Sequence, residues 1–147
     1  MKKAELFSLV SGINAVSKVS GKFAYALARN KRDLLAECAL IEGTIAPTDE
    51  FKAFQQQCND LVIKFSGPPV NDMYQVTPEN NAAFQTEYAE LHASNQEVVD
   101  ARFKLEQEYR DLLQTDTDFQ VFKISPDLIP EDLNEEQISG ILALIED

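Results

Sequence analysis

The sequence predicts an all-α, or nearly all-α, chain. The expected architecture is an antiparallel helical bundle with two long helices, a minor two-stranded β element and a short C-terminal helix. Three observations lead there. Apolar residues recur at three- and four-residue steps through most of the chain, the six prolines lie at or between the ends of those stretches, and capping residues head several of them. With 147 residues, the chain is expected to form a single helical domain spanning 1–147, onto which 115–147 packs as an acidic strand-plus-helix extension.

From Ala4 to Val16, Leu6, Leu9, Val10, Ile13 and Val16 mark a short amphipathic helix. Ser20-Gly21 interrupts it, because Gly is costly inside a helix and Ser suits a helix start. The first long helix runs from Lys22 to Ile45, with Phe23, Leu27, Leu34, Cys38, Ile41 and Ile45 on one stripe. Asn30 falls on that stripe, either as a buried amide that sets register or because the stripe reaches solvent there. Gly43 loosens the helix end and Pro47 stops it. Thr48 then caps a third helix, with Asp49 and Glu50 against its positive end and Phe51, Phe54, Cys58, Leu61 and Phe65 as its stripe.

Gly67-Pro68-Pro69 opens a loop around a β-like piece, Met73–Val76. Thr77-Pro78-Glu79 has the order of a helix start and leads into the second long helix, Pro78–Leu113, on whose stripe Asn95 sits. Unbroken, that helix would measure roughly 50 Å, more than a domain of this size accommodates, so it must kink or project and pair. Phe119–Ile124 is the best strand candidate, and Asn134 caps a last helix with Gln137 at the capping-box position and Leu133 and Ile138 spaced as a staple.

Charge is distributed unevenly. Residues 1–32 hold seven bases and one acid, whereas 33–147 hold six bases and 24 acids, for a net charge of −12. The two poles either attract each other or address separate partners, and nucleic acid is disfavoured except at the basic N-terminal arm. No apolar run reaches membrane-spanning length, and Glu5 and Ser8 interrupt any signal-peptide core, so a cytoplasmic location without membrane contact is expected.

Catalytic chemistry finds little footing. His92 is the only histidine, and Cys38 and Cys58 lack the paired spacing of zinc sites, so no metal site or catalytic residue is assigned. Both cysteines read as small core hydrophobes. Ser20-Gly21-Lys22 has the look of a phosphate-loop ending, but the upstream Gly is missing and Phe23 stands where Ser or Thr is needed, so no cofactor is expected. The candidate contact residues are the basic group Lys22, Arg29, Lys31 and Arg32, interleaved with Phe23 and Tyr25, and the apolar residues Phe122, Ile138 and Ile141 of the acidic tail.

The segment Gly21-Lys22-Phe23-Ala24-Tyr25-Ala26-Leu27-Ala28-Arg29-Asn30-Lys31-Arg32, within residues 20–46, resembles a group of short, uncharacterised tailed-bacteriophage proteins. The acidic Leu128–Leu133 stretch, within 119–145, is similar to theirs as well. The resemblance implies a phage or prophage origin and the host cytoplasm, and it supplies no catalytic residue. The expected function is a non-enzymatic interaction or accessory protein that binds a host or phage protein or forms a homodimer through the long helix. The alternative is an acidic inhibitor that mimics nucleic acid and occupies a nucleic-acid-binding protein.

Overall fold

A computed structural model describes all 147 residues. The chain forms six α-helices: α1 (Lys3–Ala15), α2 (Gly21–Gly43), α3 (Asp49–Phe65), α4 (Asn81–Ser94), α5 (Gln96–Leu113) and α6 (Glu135–Ile141). Single 3-10 turns lie at Pro78–Asn80, Pro126–Leu128 and Leu142–Leu144. The helical class expected from the periodicity is the class observed. Contacts divide the chain into two compact units, Met1–Ile45 with Tyr109–Asp147, and Ala46–Glu108.

In the first unit α1 packs on both α2 and α6. The apolar stripes meet there: Leu6, Leu9 and Ile13 from α1, Phe23, Leu27, Leu34, Cys38 and Ile41 from α2, with Ile124, Ile141 and Leu144 from the C-terminal segment. α1 and α6 cross at Gly12 and Gly140, so closely that a Cβ built on Gly12 would stand 2.0 Å from the Gly140 carbonyl oxygen. Only glycine permits that approach. The capping box at the head of α6 forms as expected: the Gln137 N–H donates to Asn134 Oδ1 at 2.9 Å, and the Asn134 N–H donates to Gln137 Oε1 at 3.1 Å. At the head of α2, Ser20 occupies the cap position without a side-chain hydrogen bond, and the turn depends instead on Gly21 at φ +65°.

The β-like pieces do not pair with each other. Phe119–Ile124 forms only an isolated parallel bridge, Ile124 with Ile145, in which the Ile124 N–H donates to the Leu144 carbonyl at 2.8 Å. Met73 pairs with Val70 across a two-residue turn, Asn71-Asp72, both at positive φ. That turn is the tight hairpin form whose twist suits antiparallel backbone.

In the second unit α3 and α4 run antiparallel. Thr48 caps α3 by accepting from the Phe51 N–H at 3.2 Å. The two helices meet along a ladder of rings, Phe51, Phe54, His92, Tyr88, Phe84 and Phe65, each 4.4–6.2 Å from the next between centroids. Cations lie over both ends, Arg102 over Phe51 and Lys64 over Phe65, each at 5.0 Å. Such ring contacts stabilise beyond simple burial.

The continuous helix expected over Pro78–Leu113 is interrupted at Asn95, whose backbone turns to φ −117° and ψ 24°. The Asn95 side-chain Nδ2 donates to the Leu91 carbonyl at 2.9 Å, the acceptor its own N–H would use in a helix. That N–H is diverted to the His92 carbonyl at 3.2 Å. A short amide side chain competing for backbone partners explains the break. The length argument for pairing through one over-long rod therefore lapses.

Candidate interaction surface

Successive residues on α2 are rotated by about 100°, which separates a core edge from a solvent edge. On the core edge, Asn30 answers the question its position raised: it is buried, at 1% exposure. Its Nδ2 donates to the Ala26 carbonyl at 3.1 Å and to the Phe122 carbonyl at 2.8 Å, and its Oδ1 accepts from the Phe122 N–H at 2.8 Å. One side-chain amide thus does for Phe122 what a neighbouring strand would do, two residues before Ile124 bonds to the backbone of Leu144 and Glu146.

The clamp places Phe122 beneath Arg29, whose guanidinium carbon lies 4.2 Å from the ring centroid. Two residues singled out from opposite ends of the sequence therefore meet. Lys22, Arg29 and Arg32 are exposed on the solvent edge, and Lys31 is half-buried. Arg32 pairs only with its neighbour Asp33, at 2.7 Å, and that bond holds the exposed Asp33 carboxyl below its ordinary range. The basic arm meets the acidic tail elsewhere. Lys2 reaches Asp116 at 3.1 Å, and Lys3 donates to the Thr115 hydroxyl at 3.0 Å and the Asp116 carbonyl at 2.9 Å.

Ile138 is half-buried and Ile141 is fully buried beside the α1–α6 crossing, so Ile141 packs the core and is not available to a partner. The solvent edge of α2 supplies apolar residues that the stripe reading did not name. Tyr25, Leu35 and Leu40 are 70%, 46% and 71% exposed, and Ala36 and Ala39 lie exposed between the two leucines. A signal was present in Leu34-Leu35-Ala36-Glu37-Cys38-Ala39-Leu40-Ile41, where seven of eight residues are apolar. That is too wide a band for a helix buried on one side only.

The second unit has an open groove of about 250 Å³ at the head of α3, lined by Phe51, Val98, Ala101 and Leu105, with Glu50 and Glu97 also in its wall. His92 lies edge-on to Phe54 and tilted against Tyr88, and its buried Nε2 has no hydrogen-bond partner. No three His, Cys, Asp or Glu side chains converge in a metal-binding arrangement. Burial raises the thiols of both free cysteines, and for Cys38 the nearby Glu42 and Glu37 carboxylates add to it. No helix is long and apolar enough to cross a membrane.

No family model, curated protein or solved structure matches this chain.

Proposed function

We propose that this chain is a non-enzymatic contact protein that binds protein through the solvent face of α2. The carrying observation is the exposure of Leu35 and Leu40 on a helix whose opposite edge already lines the core. An apolar patch beside arginine and tyrosine is the composition typical of the buried centre of an interface. Arg29 lies over the Phe122 ring, a contact that restrains its side chain and lowers the entropy a partner would have to remove there. The similarity of residues 20–46 and 119–145 to short tailed-phage proteins supports an accessory role in the host cytoplasm. The test compares the wild-type chain with Leu35→Ser/Leu40→Ser, immobilised at equal density, in capture from phage-infected and uninfected extracts. A protein retained by the wild type and lost by the variant is the expected result; equal retention of every captured protein overturns the assignment to α2.

A second reading, the acidic inhibitor, draws on the unit Ala46–Glu108, which holds eleven acids against four bases. It predicts that a captured partner is a nucleic-acid-binding protein and that nucleic acid competes it off.

A further inference from the structure

We infer that the occupant of the α2 face is α2 of a second copy, packed antiparallel about a two-fold axis level with Glu37. The inference rests on the reading of α2 as a contact surface and adds the identity of the partner.

A two-fold contact must be self-complementary: residue i meets residue j, and j meets i. In an antiparallel helix pair each flank of the seam faces the same flank of the partner helix. At about 100° per residue, Arg32, Leu35, Ala39 and Glu42 fall on one flank of the α2 solvent edge, and Ala36 and Leu40 on the other. With the axis level with Glu37, Leu35 lies beside the partner's Ala39, and Arg32 lies beside the partner's Glu42. On the other flank Leu40 falls between the levels of the partner's Asp33 and Ala36. Leu35 thus opposes a small residue at its own level, which lets the two helices approach closely there.

Charge supports this register over the alternatives. Arg32 has no ion-pair partner other than the adjacent exposed Asp33, and Glu42 has no ion pair in the chain. The last turn of α2 contains no basic residue to complement its negative end. Antiparallel pairing supplies one from outside, because Arg32 of each copy arrives at the C-terminal turn of the other. A parallel pairing would instead set Arg32 against Arg32 and Glu42 against Glu42. A partner of unrelated sequence needs none of these coincidences of spacing.

A single helix-on-helix contact is at the small end of specific interfaces, so the dimer should be concentration-dependent and not permanent. The test is sedimentation velocity on the full-length chain from micromolar to near-millimolar concentration, with circular dichroism confirming that each variant is folded. The wild type is expected to pass from monomer to dimer over that range. Leu40→Glu, at a position 71% exposed in the single chain, should keep the fold and weaken association by about tenfold or more. Arg32→Glu and Glu42→Arg should each weaken it, and the two together in one chain should restore it.

A wild type that stays monomeric throughout overturns the inference. So does a dimer indifferent to Leu40→Glu, or a double charge swap whose losses add. If the wild type is monomeric while α2 substitutions still abolish capture of a foreign protein, the second copy is ruled out and the contact role of α2 stands.

Discussion

Replacing Gly12 with alanine places a methyl group inside the backbone of α6. The added Cβ would lie 2.0 Å from the Gly140 carbonyl oxygen and 2.5 Å from its carbon, where ordinary contact begins at 3.4 Å. The obstacle is main chain, so no side chain can swing aside; α1 and α6 must separate by more than 1 Å. Overpacking of this kind typically costs about 1–3 kcal/mol. Against it stands the gain of about 1 kcal/mol for alanine over glycine inside a helix. If the crossing opens far enough to release α6, Ile141 and Leu144 also lose their burial, at about 1.5–3 kcal/mol each. With seven residues, α6 is too short to remain helical by itself. The net expectation for Gly12→Ala is destabilisation by about 2 kcal/mol, with about 5 kcal/mol as the ceiling.

Gly43→Ala is the matched control. It ends α2 and nothing stands within 4 Å of its added Cβ, so the same substitution should be neutral or stabilise by up to about 0.5 kcal/mol. Urea unfolding followed by circular dichroism measures both, and hydrogen exchange reports whether the α6 amides lose protection first. Gly12→Ala as stable as Gly43→Ala would refute the close crossing.

Four further outcomes follow from the structure. Asn30→Ala leaves the N–H and carbonyl of Phe122 without their partner, so a loss of about 2–4 kcal/mol is expected, with mobility appearing at 119–124 in heteronuclear relaxation. His92→Phe removes a buried nitrogen that has no partner and extends the ring ladder, so the thermal midpoint should hold or rise; a clear fall would show that Nε2 is satisfied in solution. The Asp116 carboxyl is held below its ordinary value by Lys2, first through their hydrogen bond and then through charge, so its contribution is present at neutral pH and lost as pH falls through its folded-state pKa. Carboxyl titration by NMR should show Asp116 titrating below an exposed aspartate, and Lys2→Gln should return it toward the ordinary value. Burial keeps both thiols protonated at neutral pH, so a disulfide-exchange probe should react slowly with the native chain and fast once it unfolds, with half-buried Cys58 ahead of Cys38.

The helical class, the Thr48 and Asn134 caps and the core stripes of α1, α2 and α3 were legible in the sequence. They rest on local physics: a repeat near 3.6 residues, a cap oxygen within reach of free N–H groups, prolines that cannot continue a helix. The basic character of the α2 solvent edge was equally legible, since charge needs no structure to be counted. The break at Asn95 was half legible: the length of Pro78–Leu113 required a kink or a projection, and only geometry placed the kink at Asn95.

What the tertiary structure alone decided is where distant segments meet. Phe119–Ile124 has strand composition, yet the backbone of Phe122 is satisfied by the Asn30 side chain 92 residues away and that of Ile124 by Leu144 and Glu146, and no local pattern encodes those meetings. Gly12 reads as an ordinary weak point in a helix until Gly140 is found against it. Ile141, chosen for its place on an amphipathic face, turned out to be core, whereas Leu35 and Leu40, which the stripe reading did not name, face solvent. Periodicity specifies which residues share a face of a helix; only the packing of the other helices specifies which faces remain uncovered.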